Sequence, residues 1–486
     1  MRHAALIIPG LLPCALLVAC SAIEGEPPQA DVRMPAGWTA ASAVRGPVVA
    51  RWWTHFGDAT LNGLVQEAIA NNRGLRATAE RVAMAAAQAR VAGAERWPSV
   101  GSGFKTQRQR QVFVGFPIPG VGGAPASNTF SSFGLSLDVS WELDLWGRLR
   151  TKQAAAAHDA DAAMDDGAAA ALSLAGQVCK VWFALAEARA QLALAERTVT
   201  NFERTLTTVE GRVRAGTRPA IDIHLSRAQL ASARVDRELR ADLHDRARRQ
   251  LELLLGRYPQ GAITGADLPR LASAPPAGLP AEILGRRPDL RALEKRMLAA
   301  HARVGEARAN LYPRIALTGS AGTVGGGLAD LLDGDFQVWS LFGNLVQPVF
   351  QGGRLHAAIE GREASRREDL ALFVEGVLRA FGEVEGALAA SDFLAKQRAA
   401  IDELVTESEA ARGVSVERYR GGRGSLLEVL DAERSNVSAQ SRGLAVRRQE
   451  LENRVDLHLA LGGSFAEPQP DSVPDMNPDN EEGSKR

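Results

Sequence analysis

Hydrophobic and polar residues alternate without a break between positions 135 and 145, in the segment LSLDVSWELDL. The apolar face of this predicted strand carries Leu135, Leu137, Val139, Trp141, Leu143 and Leu145, and the other face carries serines and carboxylates. An alternation of this length fits one membrane-spanning strand with a lipid-facing and a water-facing side. A soluble sheet with one wetted face alternates in the same way, so both interpretations stay open. Weaker strands, each interrupted by glycine, are predicted at 99–107, 314–323 and 338–347.

The segment that follows this strand has the residue spacing of a helix. Residues 147–214 contain no proline and predict a single helix, which at about 1.5 Å per residue spans roughly 100 Å. Its apolar positions recur at alternating steps of three and four, which is typical of a coiled-coil seam; they are Leu185, Ala188, Leu192, Ala195, Val199, Phe202, Leu206, Val209 and Val213. The segment AGTRP at 215–219 predicts a turn, because glycine ends a helix and proline restarts one. A second helix is predicted at 220–255, and an earlier one at 58–96 that ends before Pro98.

The same order of elements occurs twice along the chain. Motifs in 75–98 recur in 290–313 at an offset of 215, and motifs in 147–256 recur in 353–462 at an offset of 206. Each half is therefore predicted to contain a helix, two strands, a very long helix and a helix, with second-half helices near 286–311, 353–420 and 425–461. The predicted divisions are an N-terminal extended segment at 20–57, a first repeat at 58–257 with strands at about 98–146, a linker at 258–281, a second repeat at 282–463 with strands at about 313–352, and a disordered acidic tail at 464–486.

The N-terminus has the pattern of a targeting segment. Residues 4–19 are almost wholly apolar, follow a short positive start and precede Cys20, so residues 1–19 are predicted to be a signal peptide. The residues LVAC that end this segment resemble the lipobox of bacterial lipoproteins, which implies that Cys20 is acylated. Ordinary cleavage beside a chance cysteine is the alternative.

Composition excludes several classes of protein. With 57 basic and 57 acidic residues, the chain offers no electrostatic case for binding nucleic acid. Its three cysteines, Cys14, Cys20 and Cys179, cannot form a disulfide framework. No catalytic or metal-binding motif is present, so no enzyme activity, metal or cofactor is expected. No membrane-spanning helix is expected beyond the N-terminus, and the four histidines at 224, 244, 301 and 356 are predicted to be solvated.

The predicted strands cannot form a membrane structure within one chain. Open sheet edges in hydrocarbon leave backbone groups unpaired, and single-chain barrels contain at least about eight strands. A chain with four strands must therefore oligomerise, and three copies would supply twelve strands and twelve long helices.

Three features resemble the TolC-type outer-membrane efflux family, in its lipoprotein branch that serves resistance–nodulation–division (RND) pumps. They are SWELDLWGRLR at 140–150, LGRRPDLRALEKR at 284–296, and the duplicated helix–turn–helix tips. The resemblance covers about 50–462 and implies a homotrimer whose short β-barrel lies in the outer membrane and whose α-barrel crosses the periplasm. It also implies a periplasmic adaptor and an inner-membrane pump as partners. A duct for type I protein secretion and a periplasmic coiled-coil adaptor are the alternatives.

The two turns at the tips are the candidate functional site. Their exposed residues, predicted to dock the adaptor, are Arg214, Gly216, Thr217, Arg420, Gly422 and Arg423. Glu428 and Asp431 lie three residues apart on one helix face, so in a trimer each forms an acidic ring that selects cations; ordinary exposed acids are the alternative. The resemblance further implies that Tyr419 bonds to Asp222 as part of a gate, although the family's gate arginine aligns with Gly424.

Overall fold

The computed structural model describes residues 26, 28, 35–39, 51–113, 126–271, 275 and 277–463. The predicted signal peptide, Cys20 and the predicted tail at 464–486 lie outside the described residues. The first half contains helices α1 (Ala59–Asn71) and α2 (Arg73–Ala94), strands β1 (Ser99–Phe113) and β2 (Ala126–Leu143), and helices α3 (Arg148–Arg214) and α4 (Ile221–Leu254). The second half contains the short helix α5 (Glu282–Arg286), α6 (Pro288–Ala309), β3 (Arg314–Gly325), β4 (Gln337–Val346), α7 (Arg354–Arg420) and α8 (Leu426–Ala460).

The predicted internal repeat is visible in the helix bounds. Both ends of α6 lie 215 residues after the ends of α2. Helices α3 and α7 have 67 residues each, and both ends are displaced by 206. The predicted order of helix, two strands, long helix and helix is therefore present in both halves, and the chain is mainly helical.

The predicted helix at 58–96 is wrong in one respect, because Asn72 divides it into α1 and α2. The Asn72 side chain accepts a hydrogen bond from the Leu75 backbone N–H at 3.0 Å and donates one to the Leu254 carbonyl at 2.9 Å. Asn72 therefore caps the start of α2. The apolar spacing in the sequence continues across this break, which is why one continuous helix was predicted.

Contacts divide the chain into two compact units that do not follow the sequence repeats. Among the described residues, one unit contains those within 81–163 and 292–373, and so the whole sheet; the other contains those within 35–80, 164–291 and 374–463. The limits of the two repeats in the sequence stay a prediction.

The sheet has the order β1-β2-β3-β4, and every neighbouring pair is antiparallel. Partners directly across a ladder share a face. Leu137 lies opposite Ala321, which lies opposite Trp339, while Asp138 lies opposite Ser320, which lies opposite Ser340. The sheet therefore has one apolar and one polar face, as the alternation in the sequence predicted.

The apolar face is uncovered in the single chain. Its exposed side chains include Val100, Phe104, Leu135, Leu137, Trp339, Leu341 and Leu345. Two sequence expectations are corrected here: β2 begins at Ala126 rather than 135, and Leu145 lies in the turn after the strand, with its N–H donating to the Leu143 carbonyl at 2.9 Å.

The hairpin of β1 and β2 extends beyond the rest of the sheet. The β2–β3 ladder stops at Phe133 and Gly325, whereas the β1–β2 ladder continues to Ala126 and Phe113. The extension of β1 reads QRQRQVF from position 107. The sequence prediction relied on the alternation of apolar residues, so it did not detect this polar extension of β1.

Aromatic residues collect at the helix-proximal end of the sheet. The Trp141 indole donates to the Arg96 carbonyl at 3.0 Å, and the Trp146 indole donates to the Pro313 carbonyl at 2.8 Å. Trp146 also stacks on Tyr312, with ring centroids 5.1 Å apart.

A large apolar core lies in the second unit. It joins Trp52, Phe56 and Leu61 with Trp182 and Phe183 of α3, and also contains residues of α4 and α8. Residues 258–271 of the predicted linker pack on this unit, because Glu252 accepts the backbone N–H groups of Gly261 and Ala262 at 2.6 Å each.

One described helix, α3, contains an 18-residue window apolar enough to cross a membrane by length and composition, and half of that window is buried within the chain. The expectation that no helix spans the membrane stays a prediction. Burial of this kind is typical of a core helix.

Candidate functional site

The two tips are tight turns that join α3 to α4 and α7 to α8. Gly216 and Gly422 adopt φ values of 73° and 75°, in the left-handed region that glycine enters without steric cost. The N–H of Thr217 donates to the Arg212 carbonyl at 2.9 Å, and the N–H of Arg423 donates to the Arg418 carbonyl at the same distance. Both turns thus close a helix C-terminus in the same way.

The residues predicted to dock an adaptor are exposed in the single chain. They are Arg214, Gly216, Thr217, Arg420, Gly422 and Arg423. Arg420 forms an ion pair with Glu417 at 3.1 Å. In the other residues of this set, the backbone and the arginine side chains are accessible to solvent.

Asp222 and Tyr419 come together, but the predicted hydrogen bond between them is absent. Asp222 is 8% exposed and Tyr419 3%, and the Tyr419 hydroxyl has no hydrogen-bond partner among the described residues. Burial, followed by the negative charge of Asp222, raises the pKa of Tyr419. The pair is therefore close in space without the bond that the resemblance implied.

Two arginines of the first tip hold Tyr419 instead. The guanidinium carbons of Arg212 and Arg218 lie 4.8 Å and 4.9 Å from the centroid of its ring, within the range of a cation–π contact. We call Arg212, Arg218 and Tyr419 the arginine clamp.

The clamp also binds the backbone of the second tip. Arg212 donates through Nη1 to the Tyr419 carbonyl at 2.5 Å and through Nη2 to the Arg420 carbonyl. Arg218 donates through Nη2 to the Gly424 carbonyl at 2.5 Å. The Tyr419 and Arg420 carbonyls lie at the C-terminus of α7, where carbonyls lack intrahelical partners and carry partial negative charge, so the Arg212 guanidinium stabilises them.

Gly424 lies in a closely packed part of the second turn. A Cβ at this position would lie 3.1 Å from the Tyr419 nitrogen and 3.2 Å from the Arg418 Cβ, so the tight turn favours glycine. The Gly424 carbonyl is accessible to the opposite hairpin, and Arg218 reaches it from there.

Glu428 and Asp431 are exposed on the first turns of α8. Ser425 is the N-cap of this helix, because its hydroxyl accepts the N–H of Glu428 at 3.2 Å. Asp431 pairs with Arg434, and both side chains are more than 70% exposed. Such a pair contributes little to stability, which leaves both carboxylates accessible to solvent.

Glu433 is a buried acid that sequence reasoning missed. It is 5% exposed, accepts a hydrogen bond from the Asn201 amide at 3.0 Å, and lies 3.6 Å from Arg412. Its position seven residues after Leu426 and four after Val429 puts it on the apolar face of α8, and that spacing is the signal that could have identified it.

A sequence model of the family described as "Outer membrane efflux protein" matches residues 64–257 and 279–463, which is most of the chain. The chain belongs to the outer membrane efflux protein family. The TolC-type resemblance drawn from the sequence is confirmed.

Relatives of this efflux protein match it over nearly its full length. The pyoverdine export outer membrane protein OpmQ of Pseudomonas putida is 34% identical, over 94% of this chain and 97% of the relative. The outer membrane protein OprJ of Pseudomonas aeruginosa is 33% identical, over 96% and 98%. The solved structure of the outer-membrane channel OprN superposes with a TM-score of 0.82 at 28% identity, over 90% of this chain and 99% of that one.

The arginine clamp of this efflux protein was not predicted from its sequence. Gly424 was recognised as a departure from the family pattern, but the replacement lies about 200 positions earlier in the chain. A search for basic residues flanking the first turn would have found Arg212, Arg214 and Arg218 without distinguishing the two that reach across. His301 was also predicted wrongly, because it is 7% exposed.

Proposed function

We propose that the chain is the outer-membrane exit duct of a tripartite RND-type efflux system, through which small molecules such as drugs or toxic compounds leave passively. The observation that supports this best is the sheet, in which the described residues leave one apolar face uncovered and two strand edges unpaired, while the other face is polar. Membership of the efflux family argues against the adaptor alternative. We expect no catalytic activity and no cofactor.

The duct is a homotrimer. Unpaired strand edges in hydrocarbon are prohibitive, so β4 of one copy pairs with β1 of the next and three copies close a twelve-stranded barrel. Twelve helices continue it through the periplasm. The aromatic residues at the helix-proximal end of the sheet suit a membrane–water interface.

Deletion of the gene tests this function. Loss of the duct lowers resistance to compounds exported by the cognate pump, and the full chain restores it. The restored protein runs as a heat-modifiable trimer from outer-membrane fractions. A monomer confined to the soluble periplasm contradicts the proposal.

A lipid on Cys20 anchors the mature chain in the outer membrane. Several acyl chains on one residue give stable attachment, and the barrel adds its own. Cys20→Ala removes the lipid but still permits some trimer insertion. An unmodified mature N-terminus by mass spectrometry contradicts this anchor.

The exposed tips dock a periplasmic adaptor, which couples the duct to an inner-membrane pump. Gly216→Val and Gly422→Val strain turns with positive φ, because a β-branched residue is disfavoured there. Both variants should reduce export and crosslinking to the adaptor. Gly382→Val is a matched control, because Gly382 lies within α7 with open space around the position of its added Cβ. If the two tip variants crosslink as well as the control does, the tips are not the docking surface.

The same tips form the gate. Breaking the arginine clamp in each copy frees the second hairpin from the first, which opens the channel. The rings of Glu428 and Asp431 then select for cations, because three carboxylates around a narrow aqueous path create a local negative potential.

A further inference from the structure

A basic cavity of about 230 Å³ lies in the unit that contains the sheet. Its charged lining comprises Arg303 and Glu306 of α6, Arg314 at the start of β3, and Arg354 and Arg362 of α7. Residues 303, 306, 307 and 310 recur at helical spacing, as do 354, 358 and 362, so two helix faces converge on the cavity.

Three of the four arginines have no carboxylate partner among the residues that the structure describes. Arg303 pairs with Asp159. Arg314 instead donates to the Asn310 amide oxygen at 2.6 Å, and Arg354 donates to that of Gln351. Arg314, Arg354 and Arg362 form no ion pair within the described part of the chain.

Two acidic residues of the same unit, Glu142 and Glu363, are paired with arginines outside the cavity lining. Glu142 is held by Arg148 in two hydrogen bonds of 2.8 Å, and Glu363 pairs with Arg308 at 2.7 Å. Glu306 is the sole carboxylate among the described residues that line the cavity. The lining therefore keeps an excess of positive charge, in the planar donor form that binds oxyanions in a bidentate manner.

The register of β3 indicates whether the bound oxyanion belongs to a dissolved solute or to a lipid headgroup. Ile315 and Leu317 lie on the apolar face of the sheet, opposite Leu143 and Trp141 of β2. Arg314 precedes Ile315 and, because side chains alternate along a strand, lies on the polar face with Thr318 and Ser320. Arg314, which contributes to the lining, thus lies on the face that is wet in the proposed barrel, so a dissolved ligand is favoured over a lipid headgroup.

We propose that Arg314, Arg354 and Arg362 form a binding site for the oxyanion group, phosphate or carboxylate, of a solute passing through the channel. This rests on the proposed duct function and extends it to a substrate class. In a trimer the site occurs three times around the path, which favours the passage of anionic solutes at this level.

Pyrophosphate block of single channels in planar bilayers tests the site. Arg354→Gln with Arg362→Gln should raise the half-blocking concentration by on the order of tenfold or more, since each lost charge-assisted bond is worth about one order of magnitude in affinity. It should also shift the reversal potential in a KCl gradient toward cation selectivity. Glu306→Gln should act in the opposite direction.

Arg367→Gln is the matched control, because Arg367 is exposed on the same helix and does not line the cavity. Heat-modifiable trimers with unchanged unitary conductance verify that each variant folds. Equal block in the control and in the double variant overturns the site.

Two further results separate this site from the proposed function and from a lipid site. A wild-type protein that forms no channel contradicts the duct itself, whereas a channel with unaltered block in all variants contradicts only the anion site. If purified wild type retains phosphatidylglycerol that pyrophosphate does not displace, and the double variant loses it, the oxyanion is a lipid headgroup and the solute claim is overturned.

Discussion

Replacing Arg218 with glutamine removes one half of the arginine clamp. The change deletes a charge-assisted hydrogen bond to the Gly424 carbonyl and a guanidinium that lies 4.9 Å from the centre of the Tyr419 ring. Arg218 is half-buried, so we take the lower part of the range for such a bond, about 1.5 kcal/mol, and about 0.5 kcal/mol for the cation–π contact.

These values give about 2 kcal/mol for each copy. If the three copies open together, the closed state of the trimer loses about 6 kcal/mol. Each 1.4 kcal/mol is a tenfold change in an equilibrium constant, so the ratio of open to closed channels should rise by about 10⁴. An increase of this size makes a rarely open channel predominantly open.

Single-channel recording in planar bilayers, without adaptor or pump, measures this ratio directly. Arg218→Gln should show long-lived high-conductance openings that are rare in the wild type. Cells that carry the variant should also become sensitive to large antibiotics, because an open duct admits them.

Arg214→Gln is the matched control for this experiment. Arg214 belongs to the same turn and is exposed, and it forms no cross-tip bond among those described. If Arg218→Gln conducts like the wild type and like Arg214→Gln, the clamp does not close the channel and the reasoning from its geometry is wrong.

Three more outcomes follow from the described contacts. Tyr419→Phe should leave single-channel conductance unchanged, because the Tyr419 hydroxyl has no described partner. Tyr419→Leu should raise the conductance, because it removes the ring that the two arginines contact. Equal effects of the two changes would contradict this. Glu428→Gln with Asp431→Asn should lower cation selectivity and weaken block by multivalent cations, and an unchanged reversal potential would reject the acidic rings. Burial lowers the pKa of His458 to about 3, so the unfolded chain binds a proton that the folded chain does not as pH falls from about 6.5 toward 3. Stability to guanidinium should fall over that window, by at most about 1.4 kcal/mol per pH unit, and His458→Phe should flatten this dependence; an equal slope in the variant would assign it to other groups.

The sequence predicted those features that depend on period and repetition. Helix α3 was expected at 147–214 and is Arg148–Arg214, because a proline-free stretch with regular apolar spacing has one stable conformation. The turns at Gly216 and Gly422 were expected for the same kind of reason, since few residues other than glycine accept positive φ. In both cases the residues of the element itself are sufficient to predict its conformation.

Features that depend on contacts distant in sequence could not be predicted. The break at Asn72 requires the Leu254 carbonyl as a partner, and the clamp requires two turns about 200 residues apart to meet. Resemblance suggested a Tyr419–Asp222 bond, but in the structure Arg212 and Arg218 contact the Tyr419 ring. A pairwise role transfers between relatives only when both partners and their surroundings are retained.

The unequal strand lengths of the sheet have a consequence at the rim of the proposed barrel. At a closing seam between copies, the 10 residues of β4 can match only part of the 15 residues of β1. The part of each β1–β2 hairpin that extends beyond β3 and β4 therefore projects as a free arm, and three such arms make the rim of the proposed barrel uneven. Arg108 and Arg110 charge the exposed edge of each arm, which discourages strand addition by foreign chains.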